Sequence, residues 1–311
     1  MAKRVTVTGG SGFLGRYVVQ RLRDRGDDVF VPLHRDFDLT READVRRLYT
    51  EARPDIVVHL AARVGGIGAN KAHPAQFFYE TVQMGTSLIH WAERVGVSKF
   101  VTIGTTCSYP RDTRVPFRED DLWNGYPNEV TAPYGIAKRM LLAQGQAYRD
   151  EYGFNSIHLL PVNLFGPFDN FDLETSYVSP ALVGKCLEAA AAGAPRVVCW
   201  GDGTATREFL YVDDCAEAIV LATDRYDGAE PVNIGTGVET PIRDLVAVIA
   251  EVCGFHGEIV WDASRPNGQQ RRSVDTSRAA AYFGFTARTG FREGLARTVA
   301  WYRDSLYNQA R

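Results

Sequence analysis

The sequence predicts an α/β fold built around a doubly wound parallel sheet. Two observations carry this prediction: strand-like apolar runs alternate with helical periodicity over the first two-thirds of the chain, and the runs are almost continuously apolar. Strands that alternate with helices form parallel sheets, and helices cover both faces of such sheets. After Asn163 the alternation loosens, so we expect a smaller C-terminal substrate-binding region.

The elements follow in order along the chain. The predicted strands are Arg4–Thr8, Asp28–Leu33, Ile56–Leu60, Lys99–Ile103 and Ser156–Leu160, and the helices include Tyr17–Arg25, Ala75–Val95 and Tyr134–Tyr152. Residues 1–165 are expected to form a dinucleotide-binding domain, to which a segment around 210–240 returns through a helix at Val212–Thr223. Residues 166–311, with a strand at Val197–Trp200, mainly form the substrate-binding region.

Composition excludes several functional classes. The 311 residues are 45% apolar and 23% charged, with a net charge of -3, which gives no reason to expect a nucleic-acid or membrane partner. No apolar stretch approaches the length of a membrane span, about 18 residues. The five cysteines are scattered and include no Cys-x-x-Cys pair, so we expect no disulfide framework, no metal site and a reducing, cytoplasmic location.

A glycine-rich turn follows the first strand and opens the first helix. A glycine there permits tight backbone geometry, and the next lets a pyrophosphate approach the helix N-terminus, whose N–H groups and dipole favour anions. A plain βα turn is the alternative. The turn predicts a Rossmann-type dinucleotide site, with phosphate contacts from Gly9, Gly10, Ser11, Gly12, Phe13, Leu14 and Gly15.

The end of the second strand bears on the choice between nicotinamide cofactors. A carboxylate at this position favours NAD, because it accepts hydrogen bonds from the ribose hydroxyls. Here Arg35 can pair with a 2′-phosphate, which favours NADP(H), while Asp38 and Leu39 line the adenine pocket. Asp36 and Asp38 weaken the argument, and a solvated surface role for Arg35 is the alternative.

Tyr134 and Lys138 are the candidate proton-transfer pair. Residues four apart share one face of a helix. We expect the lysine ammonium to lower the pKa of the phenol below its usual value of about 10. The tyrosine would then exchange a proton with a sugar oxygen near neutral pH.

Several further stretches resemble the extended short-chain dehydrogenase/reductase family over nearly the whole chain. They include Ala62-Arg63-Val64-Gly65-Gly66-Ile67, Thr106-Cys107-Ser108-Tyr109-Pro110, Pro133-Tyr134-Gly135-Ile136-Ala137-Lys138, Trp200-Gly201-Asp202-Gly203 and Arg207-Glu208-Phe209. The more specific of them resemble members that act on GDP-linked 4-keto-6-deoxy sugars. The resemblance implies epimerisation followed by NADPH-dependent C4 reduction, and a homodimer formed through the helices near Ala75–Val95 and Tyr134–Tyr152.

The resemblance also implies roles for individual residues. Thr105 would hydrogen-bond the sugar oxygen, Cys107 would serve epimerisation, and Lys138 would hold the ribose. The implied cofactor contacts add Ala61, Ala62, Val64, Ile103, Gly104, Pro161, Asn163 and Leu164, besides Tyr134 and Lys138. The implied substrate contacts are Asn163, Val178, Lys185, Trp200, Arg207, Asn267 and Arg272.

Three positions depart from the family pattern. Tyr177 stands where the family pairs its cysteine with a histidine, Lys185 replaces an arginine, and Asn267 replaces an aspartate. An imidazole with a pKa of about 6.5 exchanges protons readily at pH 7, whereas a phenol with a pKa of about 10 stays protonated. The alternative function is therefore a C4-ketoreductase of a related nucleotide deoxysugar or heptose, with partial or no epimerisation. A packing role for Tyr177 and a catalytically silent NADP-binding regulator are further alternatives.

Overall fold

The computed structural model describes residues 2–172, 175–264 and 269–309, with side chains to residue 305. The strands are β1 (Arg4–Thr8), β2 (Asp28–Phe30), β3 (Ile56–His59), β4 (Lys99–Ile103), β5 (Ser156–Pro161), β6 (Asn163–Phe165), β7 (Arg196–Trp200), β8 (Thr206–Arg207), β9 (Phe209–Tyr211), β10 (Val232–Ile234), β11 (Thr240–Pro241) and β12 (Glu258–Asp262). The α-helices are α1 (Phe13–Asp24), α2 (Glu42–Ala52), α3 (Ile67–Ala72), α4 (Pro74–Arg94), α5 (Ala132–Tyr152), α6 (Val178–Ala191), α7 (Val212–Arg225), α8 (Ile242–Cys253), α9 (Ser277–Phe283) and α10 (Phe291–Gln309).

The main sheet confirms the predicted fold class. Within the described residues its strand order is β10-β5-β4-β3-β1-β2, and every neighbouring pair is parallel. All residues of β3 and β4 are buried, because helices cover both faces of the sheet. The chain leaves β2 at one edge and returns to β3 on the other side of β1, which creates a topological switch point beside β1.

Two element boundaries differ from the predicted ones by three residues or more, and the others differ by at most two. Strand β2 ends at Phe30 and not at Leu33, since it is an edge strand that pairs with β1 over only three residues. Helix α1 begins at Phe13, four residues before the predicted start, with Gly12 as its N-cap. The sequence between Gly12 and Tyr17 lacks the apolar periodicity on which the prediction relied.

The C-terminal region contributes small sheets and a second core. β7 pairs with β12 and β6 with β9, both in parallel, while β8 and β11 are antiparallel. Helices α6, α8 and α10 enclose an apolar cluster that includes Phe165, Val183, Leu245 and Leu295. The intervening segment packs α7 on α1 and places β10 beside β5 in the main sheet. Among the described residues, no helix combines the length and apolarity needed to cross a bilayer.

Candidate active site

The candidate site lies where the central strands end. The glycine turn follows β1, Ala61 follows β3 after one residue, Thr105 follows β4, and Asn163 follows β5. Since the strands are parallel, these segments meet at one edge of the sheet, next to the switch point. The fold thus brings the predicted cofactor and catalytic segments to the same edge.

The glycine turn has the close packing that a phosphate cradle needs. Gly9 has a φ of +71°, and a Cβ there would lie 2.8 Å from the backbone nitrogen of Ala61. A Cβ at Gly15 would lie 2.1 Å from the carbonyl oxygen of Gly9, so helix α1 can approach β1 only with glycine at this position. Gly12 caps α1 without a side-chain hydrogen bond, which leaves the N-terminal N–H groups for an anion. These residues fit a dinucleotide pyrophosphate.

The residues predicted to contact the adenosine part of the cofactor lie in the loop after β2. The Arg35 side chain is 79% exposed and lies 3.5 Å from the Asp36 carboxylate. Asp38 Oδ1 accepts hydrogen bonds from the Thr40 backbone N–H and hydroxyl, which hold the pKa of Asp38 below its usual value. Leu39 is buried in the core. Arg35 therefore has the freedom to reach a phosphate, whereas Asp38 is engaged within its own turn.

The remaining predicted cofactor positions line the same edge. Ala61 donates its N–H to Thr8 Oγ1 at 3.3 Å, and Val64 is exposed. Ile103 ends β4 and Gly104 follows it, and Pro161 ends β5. Half-buried positions of the same edge are Ala61, Ala62, Pro161, Asn163 and Leu164.

Lys138 and Tyr134 occupy one buried face of α5. Lys138 Nζ donates to the carbonyl oxygen of Ile103 at 2.7 Å and lies 5.9 Å from the centre of the Tyr134 ring. The expectation that Lys138 lowers the pKa of Tyr134 is wrong: within the folded protein this pKa is raised. Burial, followed by the neighbouring Tyr177 and Cys107, raises the pKa of Tyr134, and burial lowers the pKa of Lys138 to about 8. Loss of water dominates the pKa shifts of both groups, and a phenol whose pKa is raised is protonated at neutral pH.

Close contact between α5 and the turn after β4 sets the position of Tyr134. A Cβ at Gly135 would lie 2.3 Å from the Cys107 carbonyl oxygen. Ser108 Oγ donates to the Gly135 carbonyl oxygen at 3.0 Å, and Arg139 Nε donates to the Ser108 carbonyl oxygen at 2.5 Å. Tyr134, which precedes the glycine, is thereby held beside the Thr105–Cys107 turn.

Thr105 and Cys107 are half-buried in that turn. The Thr105 Oγ1 accepts the backbone N–H of Cys107 at 3.2 Å, so its own hydroxyl proton can be donated to a sugar oxygen. Arg272 Nη1 lies 3.5 Å from Cys107 Sγ, across 165 positions of sequence. The predicted thiol and a predicted phosphate-binding cation are thus in contact.

Tyr177 lies near Cys107 and Arg272, at the N-cap of α6. Its pKa is raised by desolvation and by the neighbouring Cys107 and Asp169, against the smaller opposing effects of a hydrogen bond from the Gly65 backbone N–H and of Arg272. The residue is 41% exposed, so solvent moderates this shift without reversing it. Tyr177 stays protonated at neutral pH, as the sequence predicts.

A buried carboxylate, to which the sequence analysis assigned no role, organises the cationic residues. Glu208 is 1% exposed, and its oxygens accept the backbone N–H groups of Thr236, Gly237 and Val274 at 2.6, 2.8 and 2.9 Å and the Ser273 hydroxyl at 2.9 Å. It follows Arg207 in the chain and binds the two residues after Arg272. The signal was present in Arg207-Glu208-Phe209, where a carboxylate sits next to a buried strand.

Arg207 and Arg272 are close enough to interact. Burial and the neighbouring Arg272 lower the pKa of Arg207 to about 10. Arg207 Nη1 donates to the carbonyl oxygens of Thr206 and Gln269, both at 2.6 Å, and Arg272 donates to Gln269 Oε1 at 2.9 Å. Two adjacent guanidinium groups form a site for an anion such as a diphosphate.

The other predicted substrate residues are distributed around this pair. Asn163 Nδ2 donates to the Glu208 carbonyl oxygen at 3.0 Å, and Val178 begins α6 next to Tyr177. Lys185 lies beside Cys199, the neighbour of the 63% exposed Trp200. Asn267 lies outside the described residues.

The sequence profile of the NAD dependent epimerase/dehydratase family matches residues 5–235. The chain belongs to this family. The match extends from β1 through β10 and so includes the glycine turn, the Tyr134–Lys138 pair and Glu208.

Individual relatives match nearly the whole chain and are therefore more specific than the family profile. The chain is 40% identical to GDP-L-fucose synthase 1 of Arabidopsis thaliana, over 98% of this chain and 95% of the relative. A GDP-6-OMe-4-keto-L-xylo-heptose reductase from C. jejuni has a TM-score of 0.92 and 25% identity, with 98% of each chain covered. An NADP-bound GDP-L-fucose synthetase from Naegleria fowleri has a TM-score of 0.90 and 27% identity, covering 97% of this chain and 94% of the other.

Two histidines that the sequence analysis did not consider lie beneath Lys138. His59 on β3 and His158 on β5 flank Thr102 of β4 in register, so all three side chains project from one face of the sheet. Burial, reinforced by the positive charge of Lys138, lowers the pKa of both histidines to about 3. They are neutral, which leaves Lys138 as the cation of this buried face.

Proposed function

We propose a GDP-L-fucose synthase-like activity, in which the protein uses NADPH to epimerise a GDP-linked 4-keto-6-deoxy sugar and then reduce it at C4. The observation that supports this proposal most strongly is the position of Cys107, whose sulfur contacts Arg272 and whose neighbours are Tyr134 and Tyr177. Reduction of a ketone needs a proton donor and a hydride, but no thiol. A thiol next to the reduction pair supports proton exchange at carbon.

In the reduction step, Tyr134 is the acid. Its raised pKa keeps it protonated, which suits a group that must give a proton to the C4 oxygen. Thr105 donates a hydrogen bond to the same oxygen. NADPH supplies the hydride when bound. Lys138, anchored on the Ile103 carbonyl oxygen, stabilises the phenolate that remains.

In the epimerisation step, two groups exchange protons with the carbons that flank the ketone. Cys107 Sγ, as a thiolate, takes a proton from such a carbon and an enolate forms. Tyr177, which is close enough to Cys107 to interact with it electrostatically, returns a proton to the opposite face of that carbon. Arg207 and Arg272 hold the diphosphate, and Lys185, Trp200, Val178, Asn163 and Asn267 complete our proposed substrate site.

The cofactor site takes NADP(H). The turn from Gly9 to Gly15 binds the pyrophosphate, and the exposed Arg35 pairs with the 2′-phosphate. The other residues proposed in the sequence analysis, from Ala61 and Ala62 to Ile103, Gly104 and Leu164, line the edge on which the nicotinamide would lie. An Arg35→Ala variant is expected to weaken NADPH binding and leave NADH binding nearly unchanged.

The second candidate is a C4-ketoreductase of a related nucleotide deoxysugar or heptose, with partial or no epimerisation. It is favoured by Tyr177, whose raised pKa makes it a slow two-way proton carrier, and by the likeness to the C. jejuni heptose reductase. The two candidates share the fold, the cofactor and the Tyr134–Lys138 pair. They differ in whether carbon-bound protons exchange with solvent.

One experiment separates them. The protein is incubated with GDP-4-keto-6-deoxy-D-mannose and NADPH in heavy water, and the products are identified by NMR. Deuterium at both C3 and C5 of the product supports epimerisation, whereas reduction without deuterium at these carbons supports the second candidate. In a Tyr134→Phe variant we expect loss of reduction with surviving exchange. If the wild type showed neither deuterium exchange nor NADPH oxidation with this sugar, the first candidate would be refuted, and the second would require a different sugar nucleotide.

We also propose a homodimer, a cytoplasmic location and a division of the chain near residue 165. Helices α4 and α5 pack together and expose Phe78, Tyr79, Met140 and Tyr152, which support a shared four-helix interface. All five cysteines are within the described residues and are free thiols, as a reducing compartment permits. Light scattering of wild type and Tyr79→Arg tests the interface, since a charge there should yield monomers.

A further inference from the structure

The loop between β6 and α6 carries Asp169 and leads into Tyr177, and the two side chains interact electrostatically. It begins after Phe165 and ends at Tyr177, and its described parts are bonded to each other. Asn170 Nδ2 donates to Thr175 Oγ1 at 2.8 Å, and the Ser176 N–H donates to the Asp172 carbonyl oxygen at 2.8 Å. These bonds fold the loop back on itself, which brings its early residues close to Tyr177.

Asp169 is the unusual member of this loop. One carboxyl oxygen, Oδ1, accepts the Asn170 backbone N–H at 2.7 Å. The other, Oδ2, is buried and has no hydrogen-bond partner within residues 2–172, 175–264 and 269–309. Burial raises the pKa of Asp169 to about 7. A buried polar atom without a partner calls for an explanation, and catalysis is one of the common ones.

The backbone directly before Asp169 is strained, and the residue there is packed on several sides. Phe168 has a φ of +70°, a backbone conformation that residues other than glycine rarely adopt. Its ring is held by Arg16 at 5.1 Å, by Tyr17 at 6.4 Å and by Trp301 at 4.8 Å. Strained backbone that the surroundings enforce occurs preferentially at functional sites.

The proposed epimerisation requires that Tyr177 be reprotonated in every turnover, and Asp169 is a candidate proton donor. After Tyr177 gives a proton to an enolate, its phenolate must be protonated again before the next turnover. Asp169 lies near enough for its charge to raise the pKa of Tyr177. Among the described residues, the other titratable or charged groups near this pair are Tyr134, Cys107 and Arg272 around Tyr177, and Arg16 and Tyr17 around Phe168.

We propose that Asp169 is the proton donor that restores Tyr177, so that the two residues act as a pair in epimerisation. The inference rests on the proposed function. In the first step, the O–H bond of Tyr177 breaks and a C–H bond forms at the enolate carbon, leaving the phenolate. In the second, the Asp169 carboxylic acid transfers its proton to the phenolate oxygen, directly or through one water. Asp169, now a carboxylate, takes a proton from solvent.

The acidities of the two groups favour this direction. A carboxyl whose pKa is about 7 is half protonated at neutral pH, so both its acid and its base form are available. A phenol with a pKa of 10 or more takes that proton with an equilibrium constant of at least about 10³. Together the two residues can therefore replace a single imidazole: Tyr177 gives the proton to the enolate, and Asp169 supplies the proton that restores Tyr177.

The test measures deuterium incorporation from heavy water into the sugar relative to C4 reduction. In Asp169→Asn, we expect the ratio of exchange to reduction to fall by about 10²-fold, the usual contribution of a positioned acid. Asp172→Asn is the matched control, since it alters a carboxylate of the same loop that accepts the Thr175 N–H, and it should keep the wild-type ratio.

A second background distinguishes proton transfer from a structural role. An imidazole exchanges its own proton with solvent at neutral pH. In a Tyr177→His background, adding Asp169→Asn should therefore leave the exchange ratio nearly unchanged. A carboxyl that only holds the loop in shape would be needed in both backgrounds.

The pH dependence gives a third measurement. Asp169 must be protonated to donate, so wild-type exchange should decline as the pH rises through about 7, and Asp169→Asn should lack this decline. Equal exchange ratios and equal pH profiles in wild type and Asp169→Asn would overturn this inference alone. A wild-type protein that reduces the sugar without any exchange would overturn the proposed epimerisation, and this inference with it.

Discussion

A single methyl group at Gly135 should damage catalysis through the backbone. Gly135 lies in the first turn of α5, directly after Tyr134. An alanine Cβ would lie 2.3 Å from the Cys107 carbonyl oxygen and 2.9 Å from its carbonyl carbon. Non-bonded carbon atoms pack at about 3.5 to 4.0 Å, so the helix and the turn must separate by roughly 1 Å. Both obstructing atoms are backbone, and no side-chain rotation can relieve the contact.

The magnitude follows from two opposing terms. Overpacking of a tight contact costs about 1–3 kcal/mol, while alanine in a helix is about 1 kcal/mol more favourable than glycine. We expect a net loss of up to about 2 kcal/mol in the free energy of unfolding. The larger effect is on rate, because a displacement of about 1 Å between catalytic groups can cost roughly 10²-fold.

The assay combines thermal unfolding with the rate of C4 reduction at saturating NADPH. Gly184→Ala is the matched control: Gly184 is a buried glycine of α6, and the nearest atom to its added Cβ would be the Tyr302 hydroxyl oxygen at 4.0 Å. It should be as stable as wild type or up to about 1 kcal/mol more stable, with unchanged reduction. Wild-type stability and rate in Gly135→Ala would refute the view that this contact positions Tyr134 against the Cys107 turn.

Three further predictions concern side chains. The ammonium of Lys138 loses its proton above a pKa of about 8, so the reduction rate should fall about tenfold between pH 7 and pH 9, and Lys138→Arg should abolish this fall because guanidinium stays charged. Glu208→Gln places an amide N–H donor against backbone N–H donors. We expect chemical denaturation to show a loss of about 3 kcal/mol in the free energy of unfolding, and we expect a raised KM for the sugar nucleotide. The control Glu258→Gln, at an exposed position, should change the free energy of unfolding by less than about 0.5 kcal/mol. Cys107→Ser should lose most deuterium exchange and retain reduction; wild-type exchange in this variant would remove the thiol from the mechanism.

Local sequence patterns predicted most of the sheet. The bounds of β1 and β4 match the predicted strands, because β1 is buried from Val5 onward and β4 throughout, and β-branched or apolar residues fill most of their positions. The edge strand β2 is shorter than its apolar run, since its length depends on a partner that only the assembled sheet provides. The early start of α1 depends on packing between Gly15 and Gly9, which no helical periodicity reveals.

The sequence by itself determined the features that repeat along the chain or occupy a short stretch of it. The alternation of strands and helices, the glycine turn and the four-residue spacing of Tyr134 and Lys138 are of this kind, because backbone geometry translates them directly into structure. Tertiary structure decided which groups meet and how much water they lose. It brought Arg272 against Cys107, buried one oxygen of Asp169 and raised the pKa of Tyr134 where the spacing alone indicated the opposite. Desolvation depends on all the atoms packed around a group, and those atoms come from distant parts of the chain.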